Sequence, residues 1–260
     1  MTDEAKDPSR FRQAGQNTEA ERSYRQDMQR YFDESAGTSY EKIENFPKYL
    51  SRQSLARYLA LYDIFCKALT VQGDVVQCGL SWGGSLMYFG LLSAVLEPVN
   101  LQRRVIGFDT FEGFPSIHDK DHQVSQLKSA EMRVGGFVAD AYSDLCRAVE
   151  LFDQNRFVGH VNKMVLVKGD ACQTIPEFLV ANTHTVVSLL HLDFDLYEPT
   201  RVALEHFLPR MPKGAVLVFD ELNNRTWPGE TTAVIEACGL RNLRVQRFPF
   251  EPYLSYAVLG

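Results

Sequence analysis

Apolar positions along this chain fall into three textures. Residues 1 to about 20 carry almost no apolar pattern and read as a mobile polar tail. Over 20–32 and 49–69 apolar residues recur at helical spacing, and in the second stretch Leu55, Leu59, Leu61, Tyr62, Phe65 and Leu69 form the stripe. From residue 74 onward short apolar runs, ending at glycine or an acidic residue, alternate with helical stretches. The runs 74–78, 105–108, 164–167, 186–192 and 215–219 are the expected strands. Helices are expected over 82–96, 141–152, 174–180, 200–208 and 230–238. Strands this continuously rich in Val, Leu and Phe indicate a parallel sheet covered by helices on both faces. The last two runs, 243–248 and 253–259, have no helix between them and predict a closing antiparallel hairpin.

The expected fold class is therefore α/β: a doubly wound, mostly parallel sheet with a C-terminal antiparallel hairpin. Residues 1–70 form a tail and helical N-terminal extension, and 71–260 the main domain. One long polar interruption, at about 110–140, carries His118, Asp119, Lys120, Asp121 and His122. A connection of that length inside an α/β domain predicts a lid or binding loop.

Composition narrows the function classes. A hydrophobic content of 45% builds a substantial core and excludes disorder for most of the chain. The formal net charge is −6 and the basic residues are scattered, which argues against a nucleic-acid-binding surface. No apolar run approaches the ~20 residues of a membrane span, and the polar start lacks a signal-peptide core. A cytoplasmic protein is expected. The five cysteines are odd in number and form no Cys-x-x-Cys pair, so they are expected as reduced, hydrophobe-like thiols.

The chemistry-bearing residues fall at strand ends, where open parallel sheets bind ligands. The first strand turns through Gly79-Leu-Ser-Trp-Gly83-Gly84-Ser85 into a helix. Glycines allow close backbone approach, and a helix N-terminus offers free N–H groups to an anion. The spacing is not Gly-x-Gly-x-x-Gly, so it suits a carboxylate better than a dinucleotide pyrophosphate. Asp109, ending the second strand, can accept from ribose hydroxyls. Asp170, ending the third, can accept from an adenine amino group or cap the next helix. The densest signal is His191-Leu-Asp193-Phe-Asp195-Leu-Tyr-Glu198 with Phe219-Asp220-Glu221. Four carboxylates on neighbouring strand ends repel unless a cation intervenes, and hard oxygen donors suit Mg²⁺. Some of them can instead cap the following helices.

With these blocks in view, the chain resembles the macrocin-type O-methyltransferase family, which methylates sugar hydroxyls. The resemblance rests on Gly73-Asp-Val-Val-Gln-Cys-Gly79 with Gly83-Gly84-Ser85, Gly107-Phe-Asp-Thr-Phe-Glu-Gly-Phe-Pro115, Lys168-Gly-Asp170, His191-Leu-Asp-Phe-Asp-Leu-Tyr-Glu-Pro-Thr200 and Val218-Phe-Asp-Glu221. It implies a Rossmann-like class I methyltransferase fold using S-adenosylmethionine and Mg²⁺. By position it places Gln77, Gly79 and Ser85 near the methionine end of the cofactor. Asp109, Thr110 and Phe111 fall at the ribose, and Asp170 and Ala171 at the adenine. Asp193, Asp220 and Glu221 become metal ligands and Asp195 the general base. Family members usually carry Glu at the position of Gln77 and Asp at that of Glu221.

The expected acceptor is a hydroxyl on a nucleotide sugar, a glycosylated metabolite or a polysaccharide. The N-terminal helices are a candidate contact with a second copy. Three rival functions share parts of this pattern. A haloacid-dehalogenase-type phosphatase needs its Asp-x-Asp on the first strand, not after three strand–helix units. A nicotinamide dehydrogenase conflicts with the glycine spacing. A cofactor-binding module without turnover is the third, and Gln77 and Glu221 are the positions that favour it.

Overall fold

The computed structural model describes residues 18–122 and 129–260. Most of the expected tail and the middle of the expected lid therefore lie outside the described residues. Among the described residues, eight α-helices and seven strands follow in the order α1 (Glu19–Glu34), α2 (Ser39–Glu44), α3 (Arg52–Ala68), β1 (Asp74–Cys78), α4 (Gly84–Leu96), β2 (Val105–Asp109), α5 (Tyr142–Gln154), β3 (Met164–Lys168), α6 (Ala171–Ala181), β4 (Val187–Leu192), α7 (Tyr197–Phe207), β5 (Val216–Phe219), α8 (Pro228–Cys238), β6 (Gln246–Arg247) and β7 (Ser255–Val258). The strands form one sheet in the order β3-β2-β1-β4-β5-β7-β6. β1 to β5 are parallel, while β7 runs antiparallel to both β5 and β6. This is the doubly wound sheet with its closing hairpin.

Side chains alternate across the central strands and build two cores. Val75, Val105, Leu189 and Val216 face one side with Leu61, Phe65 and Phe89. Val76, Ile106, Leu190 and Leu217 face the other with Ile175, Leu204 and Phe207. α3 thus packs onto the sheet through Ala60, Leu61, Ile64, Phe65 and Ala68. One short helix lacks a counterpart in the apolar pattern. α2 is held by a capping box, in which Thr38 Oγ1 accepts from the Glu41 amide and Glu41 Oε2 accepts from the Thr38 amide at 2.7 Å.

Helix starts shift by a few residues from the expected ones for local reasons. α6 begins at Ala171 because Asp170 Oδ1 accepts from the Cys172 amide. Proline sits in the first turn of both α7 and α8, where its missing N–H is no loss. Among the described residues no helix is long and apolar enough to cross a membrane.

The part of 110–140 that is described packs down over the sheet's carboxyl edge. Phe114 and Phe137 meet Trp227, with ring centroids 5.7 and 5.3 Å away, and Leu196 completes this small core. Asp121 is 1% exposed and accepts from the amides of Tyr197 (2.7 Å) and His118 (2.9 Å), so it ties the loop to the start of α7. Lys120 adds a bond to Tyr197 Oη and an ion pair with Glu236. His118 accepts from the Lys120 amide through Nδ1, a structural role. Asp121→Ala leaves two amides without partners, each worth about 1–3 kcal/mol where buried. A loss of about 2–4 kcal/mol in urea denaturation is expected, and a loss too small to measure would mean that the loop is not anchored there.

Candidate active site

Parallel strands end together, and the ladder continues one bond past each end. Gly79 N donates to Phe108 O, Asp193 N to Cys78 O, Asp220 N to Leu192 O and Gly169 N to Asp109 O. These bonds hold the strand-end residues at one level across the sheet's carboxyl edge. Gly79 has φ +91°, and a Cβ there would lie 1.9 Å from the Asp193 carbonyl oxygen. Only glycine lets β1 and β4 converge this closely. Four of the six non-glycine residues with positive φ among the described residues, Ser81, Phe111, Asp195 and Asn223, lie within four residues of the ends of β1, β2, β4 and β5. Backbone strain of this kind costs about 1–3 kcal/mol per residue and concentrates at functional sites.

Above this edge opens a cleft of about 310 Å³. Its wall includes Gly79, Asp109, Thr110, Asp170, Ala171, Asp193 and Asp195, and Phe114 and Phe137 of the loop after β2 complete it. Gln77, Ser85, Phe111, Asp220 and Glu221 are not wall residues. Asp109 accepts from the amides of Leu80 (2.6 Å) and Ser81 (3.0 Å) through Oδ2, and from Phe111 (2.6 Å) through Oδ1. The amides expected to meet an anionic ligand thus meet Asp109. With about four acceptor directions on a carboxylate, roughly one remains for a ligand. Gln77 lies behind the cleft, donating from Nε2 to Gly79 O at 2.9 Å, while its Oε1 is buried without a partner. Phe111 is buried against Tyr142.

Asp193 and Asp220 are joined by a side chain that the motifs do not contain. Arg57 of α3 places Nη2 3.2 Å from Asp193 Oδ2 and Nη1 2.7 Å from Asp220 Oδ1. His191 is fully buried beneath them, its Nε2 3.7 Å from Asp220 Oδ1, and neither ring nitrogen has a hydrogen-bond partner among the described residues. Glu221 turns the other way. Its carboxylate accepts from Asn224 Nδ2 and its amide donates to Glu230 Oε1.

One guanidinium among so many carboxyls cannot keep them all ionised. Burial acts upward on Asp220, but the Arg57 charge and the His191 contact outweigh it and hold Asp220 below the usual carboxylate range. Asp193 goes the other way, raised by burial and by Asp220. Asp195, which has no hydrogen-bond partner among the described residues, is pushed up to about 8 by burial first and then by Asp220. Glu221 is pushed up to about 10 by burial, with Asp195 and Asp220 adding to it.

Glu230 is fully buried with one carboxyl oxygen unpartnered, and burial followed by Asp220 raises it well above its ordinary value. A carboxyl raised in the fold stabilises fully below its unfolded pKa of about 4.3, and that contribution is lost as pH climbs toward the folded value. Glu230→Gln has no such loss. It should match the wild type near pH 4 and become more stable than it toward pH 8, by up to about 1.4 kcal/mol per pH unit. Urea midpoints at several pH values check this, and a pH-independent difference would show an ionised Glu230.

The sheet order, the two helical layers and the cleft over the strand ends define a class I, Rossmann-like methyltransferase fold. Within that class, the chain belongs to the macrocin-O-methyltransferase (TylF) family, whose model matches residues 60–237. The crystal structure of CalS11, a calicheamicin methyltransferase, shares 32% identity at a TM-score of 0.88, covering 94% of each chain. The O-methyltransferase NovP has the same fold at 19% identity and TM-score 0.62, over 79% of this chain and 80% of its own. A tetracenomycin rhamnosyl 4′-O-methyltransferase of Streptomyces olivaceus is 30% identical over 159 residues, 58% of this chain and 53% of that protein. Mycinamicin III 3″-O-methyltransferase of Micromonospora griseorubida is 27% identical over 161 residues, 58% of this chain and 56% of that protein. The matched stretch thus spans about half the length of these two curated relatives.

Arg57, His191 and Glu230 are the residues of this centre that motif reading passed over. His191 stood inside the quoted block. Arg57 had a signal too, since it precedes Leu61 by one helical turn and so continues the buried stripe of α3.

Proposed function

We propose that this protein transfers the methyl group of S-adenosylmethionine to a sugar hydroxyl, on a nucleotide sugar, a glycosylated metabolite or a polysaccharide. The observation that carries the reading is one cleft with two chemically different walls. Asp109, Thr110, Asp170 and Ala171 offer a nucleoside the acceptors and close backbone it requires. Asp193 and Asp195 face them across Gly79. The relatives' sugar acceptors support the same substrate class.

S-adenosylmethionine supplies a sulfonium-bound methyl group open to attack by oxygen. Asp195 is placed to take the acceptor's proton, because its carboxylate faces the cleft without a partner and its raised pKa makes it a stronger base. The lid residues Phe114 and Phe137 keep water from the cleft. Gln77 and Phe111 act from behind the wall through their bonds to Gly79 O and Asp109 Oδ1.

The residues also fit a divalent cation. His191, Asp193 and Asp220 each bring one ligand atom within 4.8 Å of the others, and the His191 nitrogens lack other partners. A bound Mg²⁺ or similar ion would supply Lewis acidity toward the acceptor oxygen. Glu221 is not part of this set, and its Oε2 accepts from Asn224 instead. Exposed Leu55, Leu59 and Tyr62 on the outer side of α3 support pairing with a second copy.

Incubation with methyl-labelled S-adenosylmethionine and a panel of nucleotide sugars and glycosides tests the function. Label in a sugar product is expected. Cofactor binding without transfer to any sugar acceptor would sink the reading.

A further inference from the structure

The carboxylates proposed to hold a metal already hold an arginine. Asp193 and Asp220 lie on adjacent strand ends, and one guanidinium from α3 spans them at 3.2 and 2.7 Å. We propose that Arg57 is the resident cation of this centre, and that a divalent ion binds to Asp193 and Asp220 only by displacing it. This inference rests on the metal reading given above.

The ligand oxygens are the first reason. Asp193 Oδ2 and Asp220 Oδ1 are the carboxylate oxygens that bracket the Arg57 guanidinium. A dication at about 2.1 Å from the same oxygens would sit within roughly 4–5 Å of the guanidinium. Like charges that close in a partly buried site repel strongly.

His191 is the second, independent reason. A fully buried imidazole with neither nitrogen hydrogen-bonded is uncommon, because buried polar atoms find partners. Its Nε2 lies 3.7 Å from Asp220 Oδ1, on the same centre. With Arg57 in place His191 stays unsatisfied, whereas a metal ion taking Arg57's position gives that ring a ligand role.

Displacement also has a route and a destination. The side chains of Arg57 and Asp193 keep 27% and 24% of their surface open, so the pair is not sealed. Glu251, a buried carboxylate fixed by the amides of Tyr253 and Leu254, lies within the electrostatic reach of Arg57 and can take its charge. Arg57 therefore offsets part of the carboxylate charge when no metal is bound, and Glu251 offers it a partner when one is.

Mn²⁺ alone, titrated into the full chain without substrate and followed by electron paramagnetic resonance, tests this. Arg57→Gln is expected to bind one Mn²⁺ at least about tenfold tighter than the wild type, since each tenfold is about 1.4 kcal/mol of lost competition. Arg57→Lys, which keeps a charge but cannot fork between two carboxylates, should fall between them. It also serves if the glutamine variant does not fold. Thermal melts give a second readout. Arg57→Gln should melt lower than the wild type without metal and recover with Mn²⁺, while the wild type shifts much less. An arginine that only braces α3 would give the lower melt and no recovery. Equal Mn²⁺ affinity in wild type and Arg57→Gln, abolished in both by Asp193→Asn, overturns the inference and leaves the metal reading standing. No Mn²⁺ binding in any variant overturns both.

Discussion

Asp195→Asn should lower methyl transfer by about 10²–10⁴-fold, the usual contribution of a positioned base, while S-adenosylmethionine binding stays nearly unchanged. The two halves of that result have separate causes. Asp195 sits at φ +62°, a left-handed conformation that asparagine also adopts readily, so the backbone behind Gly79 and Asp193 keeps its shape. What asparagine lacks is a carboxylate to receive a proton. The pH profile gives a further check. Because burial and Asp220 push Asp195 up to about 8, its active ionised form is the minority species at neutral pH. Wild-type initial rates should therefore rise with pH and reach half their limit near 8, and the residual rate of the variant should lack that limb. A variant with wild-type turnover would remove Asp195 from the base role.

Gly79→Ala is expected to cost about 3–5 kcal/mol, combining the left-handed penalty with overlap that the core cannot relieve. The atom its methyl group would strike is the Asp193 carbonyl oxygen, 1.9 Å away, which is backbone and cannot swing aside. Relief requires β1 and β4 to separate, which also shifts Asp193. Cofactor binding should fall together with the urea midpoint. Gly135→Ala is the control. It shares a positive φ, +74°, but its added methyl group meets nothing within 4 Å, so it should cost only about 1–2 kcal/mol. Equal losses in the two variants would mean that the close approach at Gly79 does not matter.

Regular elements were legible wherever one periodicity dominated. The buried strands β1, β4 and β5 read directly as apolar runs, because both faces of a central parallel strand are covered. α2 was missed although Thr38 and Glu41 form a capping pair in the sequence, since six residues carry too little apolar pattern to register. The strand-end acids were legible for a topological reason: every parallel strand delivers its last residues to the same edge, so Asp109, Asp193 and Asp220 converge whatever the details. Their partners were not. Asp109 was expected to face a ligand, and it also ties down the turn after β1 through the amides of Leu80 and Ser81. Such contacts depend on how two loops meet, which no spacing encodes.

Sequence alone determined the architecture, the family and the edge on which the chemistry lies, because periodicity and strand order are properties of the chain itself. Tertiary structure decided how the charges are shared there. Arg57 is 136 residues from Asp193 along the chain and reaches it only because the apolar stripe of α3 docks on the sheet. His191 and Glu230 became parts of the centre through burial, which is a property of the packed fold. Which carboxyl is ionised, which keeps its proton and what cation lies between them follow from distances of a few ångströms in a water-poor centre, and those exist only once the layers have packed.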